Sequence, residues 1–302
     1  MISEAVIRAL SRFVPEENIR LQEPMAGHTT FRIGGPADCF VQLENKEQLI
    51  QVQRYLRQVG MPFFILGNGS NLLVSDKGYR GIVLQIGQRM SRITVAGNII
   101  TAQAGAPMSQ IARAALEHGL TGLEFASGIP GTIGGGVVMN AGAYDGELSG
   151  IVTQVNVVNG EGEYMELENE SMEFGYRTSI IRNNSFTVTD VIMKLEKGDR
   201  EQIKAKMEDL AARRREKQPL EYPSAGSTFK RPRGNFAGKL IMDAGLRGFQ
   251  IGGAKVSEKH CGFIINTGNA TAEDVRDVIS EVQERVKHMF HVDLEPEILF
   301  LG

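Results

Sequence analysis

The chain has 302 residues, of which 42% are hydrophobic and 23% charged, which is enough apolar material for a sizeable core divided among two or three domains. A formal charge of −3, with no basic cluster larger than Arg213-Arg214-Arg215, excludes the electrostatic footprint of a nucleic-acid or membrane-surface binder, so an anionic ligand must be held by local groups. The only cysteines, Cys39 and Cys261, stand far apart and without ligand spacing, so neither a disulfide framework nor a metal site is expected and both read as small buried apolar residues.

The first segment, Ile2–Phe13, has the charge-interrupted spacing of an amphipathic helix and no continuous apolar run of secretory type, and no stretch reaches transmembrane length. These features predict a cytoplasmic protein. A domain is expected to begin near Pro24, after which Ala37–Leu43 reads as a strand. Lys46–Gln58 reads as a helix because Leu49, Val52, Leu56 and Val59 recur at helical spacing, and Met61–Leu66 as a short buried strand that completes a β-α-β unit. That strand runs into Gly67-Asn-Gly-Ser-Asn71. Two glycines free the backbone there and Asn68, Ser70 and Asn71 add side-chain donors, which suits a phosphate or pyrophosphate; a hairpin turn is an equally good local reading. It is not the dinucleotide fingerprint, because Leu72 stands where the third glycine would be.

Strands are predicted at Gly81–Ile86, Ser91–Val95 and Ile99–Ala104, and a helix at Pro107–His118 with proline in its first turn. The stretch Gly122–Tyr144 then combines many glycines with apolar residues and almost no charge. Gly128, Gly131, Gly134, Gly135 and Gly136 lack a Cβ, so the backbone there can take positive φ, approach a ligand closely and aim N–H groups at an anion. Ile129, Pro130, Ile133, Val137 and Val138 stiffen the segment, unlike a flexible linker; a purely structural turn cluster is the other reading. Ile151–Val158, Glu163–Leu167 and Thr187–Leu195 are strand-like. From Asp199 to Lys217 the pattern becomes a charged helix with Ile203, Met207 and Leu210 as its apolar stripe, which puts a domain boundary near residue 197. The expected division is a lead-in over 1–23, one domain over 24–196 and a smaller α+β domain over 197–302. The last part holds a Pro-rich polar loop, a helix near Phe236–Ala244, a strand at Gly262–Asn266 and a helix from Thr271, where Thr271 and Asp274 resemble a capping box with the shorter acid.

Six motifs occur in order: Gly67–Asn71, Ser127–Gly135, Asn140–Tyr144, Tyr176–Ser179, Pro223–Lys230 and Leu294–Glu297. Together they resemble the UDP-N-acetylenolpyruvoylglucosamine reductase family over nearly the whole chain. The resemblance implies an α+β protein with an FAD-binding domain of vanillyl-alcohol-oxidase (PCMH) type and a smaller α+β substrate-binding domain. It implies non-covalent FAD, NADPH as hydride donor, UDP-N-acetylglucosamine-enolpyruvate as substrate and UDP-N-acetylmuramate, a peptidoglycan precursor, as product, in a monomer. By the same resemblance the cofactor contacts are Leu66, Gly67, Asn68, Gly69, Ser70, Asn71, Pro130, Gly131, Thr132, Gly135, Asn140, Gly142 and Ala143. Tyr176, Arg214 and Lys217 would meet the substrate. With no insertion between Tyr144 and Tyr176 the chain looks like the shorter subtype, in which Tyr176 covers the substrate; a core tyrosine is the alternative.

Hydride delivered to the β-carbon of an enolpyruvyl group pushes negative charge onto the α-carbon and its carboxylate, so the site needs a cation, a fixed carboxylic acid and a proton donor. Arg177, Glu297 and Ser227 are those three types. By resemblance Ser227 protonates the α-carbon while Arg177 and Glu297 hold the substrate carboxylate and stabilise the enol-like intermediate. Each has a plainer reading: Arg177 as a surface partner of Glu173, Ser227 as a turn serine, Glu297 as an exposed strand-end acid, and the basic residues 213–217 as a solvated helix end. His260 reads as structural and is left out of the catalytic set.

Overall fold

A computed structural model describes residues 2–302. The chain divides into two compact units: the first holds the residues up to Leu21, Cys39–Asn68 and Gly81–Arg213, the second Gln22–Asp38, Gly69–Arg80 and Arg214–Gly302. The units therefore do not follow the chain in single blocks, and the C-terminal change of unit falls inside the helix Arg200–Lys217 rather than at its start.

In the first unit the β-α-β reading appears as the strand Pro36–Leu43, the helix Lys46–Gln58 and the strand Phe63–Leu66. The helix starts at Asn45, whose side-chain oxygen accepts the Gln48 N–H at 2.9 Å, while Gln48 Oε1 accepts the Glu44 N–H at 2.9 Å, so two otherwise orphaned donors are satisfied reciprocally. Leu49, Val52 and Leu56 are fully buried, and burying each contributes about 1.5–3 kcal/mol. Phe63–Leu66 pairs in parallel with Tyr79–Ile86 at the edge of a four-stranded sheet. The strand Leu72–Val74 pairs instead with Leu299–Leu301, so Gly67–Asn71 is not a hairpin.

A second sheet of five antiparallel strands runs in the order Tyr164–Glu168, Val152–Val158, Thr187–Lys194, Ile99–Gln103, Ile93–Ala96. The helix Met108–Glu117 buries Ile111, Ala112 and Ala115 in the same core. The glycine-rich stretch is more regular than its composition suggests. It contains a 3-10 turn at Glu124–Gly128, a short α-helix at Ile133–Val138 and a two-stranded hairpin at Gly142–Glu147.

The second unit is a three-stranded antiparallel sheet, Gln250–Ile251, Ala254–Val256 and Ile264–Asn266, covered by the helix Ala272–Phe290. Val275, Val278, Ile279, Val282 and Val286 form its buried stripe. Both capping-box bonds are present, Asp274 N–H to Thr271 Oγ1 and Thr271 N–H to Asp274 Oδ2, each at 3.0 Å. Asp76 takes two further donors of the first turn, Ala272 N–H at 2.8 Å and Glu273 N–H at 3.1 Å, and its charge complements the helix dipole. Among the described residues no helix is long and apolar enough to cross a membrane.

At the entry to the glycine-rich stretch Glu124 is only 3% exposed. It accepts the Thr121 hydroxyl at 2.6 Å and the Gly122 N–H at 3.0 Å, with Lys206 Nζ at 3.7 Å. Burial raises its proton affinity, but these hydrogen bonds and Lys206 outweigh it and hold the carboxyl below the usual carboxylate range. Its stabilising contribution is then complete above the unfolded-state value and lost as the pH falls toward the lowered folded one. Glu124→Gln should cost about 1–3 kcal/mol at neutral pH in denaturant titration and should lose less stability than the wild type on acidification below about pH 4.

Candidate active site

The first cluster lies at the end of the strand Phe63–Leu66, where Leu66 is buried and the chain turns out through Gly67 and Asn68. Asn68 Nδ2 donates to the Pro130 carbonyl at 3.3 Å, and a Cβ on Gly67 would lie 2.5 Å from Thr132 Oγ1. Thr132, itself buried, caps the helix Ile133–Val138 and accepts the Gly135 N–H at 3.4 Å. Three backbone bonds tie this segment to the chain beyond the strand Ile99–Gln103: Met108 N–H to Gly131 O at 3.0 Å, Ile133 N–H to Ala106 O at 2.9 Å and Gly134 N–H to Ala104 O at 2.9 Å.

The glycines are therefore needed for close approach. A Cβ on Gly134 would sit 2.8 Å from Ala104 Cβ, and one on Gly136 2.9 Å from Met108 Sδ. Positive φ, which glycine permits at Gly128, Gly131, Gly134, Gly135 and Gly136, occurs at none of them; in and just after this stretch it falls on Gly122, Asn140, Tyr144 and Asp145. Gly135 faces the other way and is exposed, the nearest atom to a Cβ there being Thr132 Oγ1 at 3.6 Å. Gly135 thus leaves open backbone without a side chain, a surface that a group bringing its own oxygens can approach.

A second cluster is built around Asn140, which is 1% exposed and left-handed at φ 42°. Its Oδ1 accepts the Ser149 N–H at 2.9 Å and its Nδ2 donates to Gly175 O at 3.1 Å. Gly175 and Thr178 close a tight turn through reciprocal backbone bonds of 3.1 and 3.3 Å. Inside that turn Arg177 is left-handed at φ 57°, a conformation that costs an ordinary residue about 1–2 kcal/mol. Its Nη2 donates to Gly142 O at 3.0 Å and its carbonyl accepts Arg182 Nη1 at 3.1 Å. Asn140, Gly142 and Arg177 therefore share one network. Tyr176 is 53% exposed beneath the Arg177 guanidinium, 5.2 Å from its ring centroid, so it is not a core tyrosine.

The third cluster belongs to the second unit. Gly69 is left-handed at φ 59°, its carbonyl accepts the Thr30 N–H at 3.2 Å, and a Cβ there would overlap the His28 carbonyl. Ser70 is half-buried, and Asn71 Nδ2 donates to Glu297 O at 3.1 Å while Asn71 O accepts the Leu299 N–H at 2.9 Å. Around Ser227 three segments run side by side. Ser227 bridges Phe263, Thr228 N–H donates to Gly262 O at 2.8 Å, and Glu297 N–H donates to Thr228 O at 2.8 Å. Ser227 thus makes an isolated bridge directly after the left-handed Gly226, and its hydroxyl donates weakly to Phe229 O at 3.4 Å. Glu297 is half-buried rather than exposed. Arg214 is half-buried and Lys217 exposed in the last turns of the helix Arg200–Lys217, while Arg213 pairs with Asp209 at 2.9 Å.

Two supporting residues carry no sequence signal: Thr228, a buried hydroxyl that accepts the Ile264 N–H at 3.1 Å, and Asn71 in its role as a tie to the Glu297 segment. Asn140→Asp keeps the acceptor for Ser149 but replaces the donor to Gly175 with a repelling oxygen. It should cost about 1–3 kcal/mol and speed amide exchange at residues 175–178, and unchanged exchange there would disconnect Asn140 from the Arg177 turn.

The model of an FAD binding domain matches residues 37–168, and that of the UDP-N-acetylenolpyruvoylglucosamine reductase C-terminal domain matches residues 218–301. A relative from Caldanaerobacter subterraneus subsp. tengcongensis named UDP-N-acetylenolpyruvoylglucosamine reductase is 53% identical over 301 residues, which is 100% of this chain and 99% of the relative. The crystal structure of UDP-N-acetylenolpyruvylglucosamine reductase from Thermus caldophilus superposes with a TM-score of 0.80 at 34% identity, covering 94% of this chain and 98% of that one. A variant of Phl p 4 described as a glucose oxidase matches 65% of this chain and 45% of its own at 13% identity and a TM-score of 0.51, a likeness of fold alone. The fold is α+β, with an FAD-binding domain of vanillyl-alcohol-oxidase type followed by a smaller C-terminal domain. Being identical at more than half its positions to a relative that it matches from end to end, the chain belongs to the UDP-N-acetylenolpyruvoylglucosamine reductase family.

Proposed function

We propose that this chain reduces UDP-N-acetylglucosamine-enolpyruvate to UDP-N-acetylmuramate with electrons from NADPH, as a cytoplasmic, monomeric step of peptidoglycan precursor synthesis. The observation that carries the reading is the full-length match to a reductase of that name. FAD, when bound, supplies a two-electron carrier that accepts hydride from NADPH and passes it to the enolpyruvyl β-carbon. The chain's residues supply the rest.

The FAD-binding part is assigned to residues 24–196 and the substrate-binding part to 197–302, with the two family models at 37–168 and 218–301 in support. Leu66, Gly67, Asn68, Gly69, Ser70, Asn71, Pro130, Gly131, Thr132, Gly135, Asn140, Gly142 and Ala143 hold the cofactor. The open backbone at Gly135, beside the Thr132 cap, fits a pyrophosphate, which needs N–H groups and no intervening side chains.

Ser227 gives its hydroxyl proton to the α-carbon as hydride arrives at the β-carbon, so the double bond becomes a single bond and the enol ether a lactyl ether. The long bond from Ser227 to Phe229 O leaves that proton loosely held. Arg177 binds the substrate carboxylate; the left-handed turn and the bond to Gly142 O fix where its guanidinium is presented. Glu297, in protonated form, donates to the same carboxylate or to the enol-like oxygen. Tyr176 covers the substrate, and Arg214 and Lys217 meet its diphosphate.

The test is the visible spectrum of the purified protein without oxygen. A flavin spectrum should bleach with NADPH and return only with UDP-N-acetylglucosamine-enolpyruvate; rapid return with oxygen alone, or no uptake of FAD by folded protein, would sink the reading. Ser227→Ala should keep the flavin and its bleaching by NADPH while slowing the return by about 10²–10⁴-fold.

A further inference from the structure

The proton step proposed for Ser227 raises the question of what holds that hydroxyl in place, and the nearest unexplained group is His260. Its ring is half-buried in the second unit, edge-on to Phe263 at 5.0 Å between centroids and 71° between planes. Phe263 is the residue that bridges Ser227. The Gly262 N–H donates to His260 Nδ1 at 3.1 Å, and the Gly262 carbonyl accepts the Thr228 N–H at 2.8 Å. One peptide segment is therefore held on one side by the imidazole and on the other by the segment that carries Ser227. Gly262 has no room to do this with a side chain: a Cβ there would lie 2.9 Å from His260 Cε1 and 3.5 Å from Ser227 Oγ. The backbone of His260 is held in turn by Ser257 Oγ, which accepts the His260 main-chain N–H at 3.3 Å, and Gly238 in the helix Ala237–Asp243 approaches the ring closely.

We propose that His260 is a positioning residue for proton delivery by Ser227, acting through the bond from the Gly262 N–H to its Nδ1. The inference rests on the role assigned to Ser227 above. Because Nδ1 accepts, the ring must be neutral with its proton on Nε2. An imidazolium has two donors and no acceptor, so protonation breaks the bond to Gly262 and releases the segment. Burial pushes the His260 imidazole below its ordinary range, which keeps it neutral at physiological pH. The charged groups on the elements around it are already paired with one another: Lys239 with Asp243 on the helix, Lys255 with Glu258, and Lys259 with Glu221.

The geometry, a side-chain acceptor bonded to the backbone N–H two residues on, is one that asparagine also makes. His260→Asn should therefore retain the support without the titration, and His260→Ala should lose both. In the FAD-loaded protein, His260→Ala should bleach with NADPH at the wild-type rate but recover with UDP-N-acetylglucosamine-enolpyruvate about tenfold more slowly. Adding it to Ser227→Ala should slow recovery no further, since both act on one step. His260→Asn should recover within about threefold of wild type at pH 7.5 and should lack the acidic limb that the wild-type recovery rate shows. Independently of turnover, the Gly262 amide resonance should titrate with the His260 ring nitrogens in the wild type and in Ser227→Ala alike. Wild-type recovery in His260→Ala, equal slowing of bleaching and recovery, or a full additional loss on top of Ser227→Ala would overturn the inference. If His260→Ala does not fold, an acidic limb persisting in His260→Asn does so. A wild type that bleaches but never recovers with the substrate removes the functional reading instead, leaving the amide titration to report on the bond itself.

Discussion

The first unit depends on how closely a six-residue helix can lie against its neighbours. Ile133–Val138 docks on the segment Ala104–Met108 with backbone almost touching backbone, and it can do so only because Gly134 and Gly136 have no side chains. Glycine in a helix interior costs about 0.5–1 kcal/mol relative to alanine, and a helix this short has no stability of its own. Both costs are offset by the bonds from Met108, Ile133 and Gly134 and by the cap at Thr132. The register of that docking then sets everything downstream: Thr132 falls where Gly67 must lack a Cβ, Gly135 falls on the open side, and the chain leaves the helix at the buried, left-handed Asn140.

Polar groups rather than apolar ones fix the turns and bridges that carry the side chains proposed to react. Asn140 spends both ends of its amide on backbone, and through Gly175 it holds the turn that presents Arg177. Asn71 and Thr228 do comparable work around Glu297 and Ser227. These bonds contribute only about 1 kcal/mol each to stability, but leaving any buried partner unsatisfied costs more. Among the described residues only Asn18 Oδ1 and Gln53 Oε1 are buried side-chain atoms without a partner. The site is therefore held by networks that tolerate few substitutions, whereas the apolar cores around it admit many of equal volume.

The match to a glucose oxidase at 13% identity shows how little the fold by itself says of the reaction. A flavin-binding fold of this type supplies bare backbone for a dinucleotide; which substrate is turned over depends on the few side chains brought up to it. The three side chains proposed for that role, Arg177, Ser227 and Glu297, come from segments far apart in sequence, and each sits on an irregular piece of backbone: a left-handed turn, an isolated bridge, and a chain end pinned by Asn71.

Periodicity made the helix Lys46–Gln58, the final helix with its capping box and most long strands readable in the sequence alone, because each rests on a repeating apolar face and a local cap. The ordered motifs likewise sufficed to identify the family and the residue types its chemistry needs. Other features were beyond local reading. The glycines of the central stretch suggested positive φ, but tertiary packing uses them for contact with Ala104 and Met108 and moves the left-handed backbone to Asn140 and Arg177. Gly67–Asn71 was compatible with a hairpin until the pairing of Leu72–Val74 with Leu299–Leu301 settled the point. Sequence by itself thus determined which residues have the right chemistry and which segments are regular, since propensity, period and capping act within a few residues. Only the tertiary structure decided which carbonyl each amide satisfies and which face each glycine must leave bare, because those choices depend on atoms from 28 to 226 positions away.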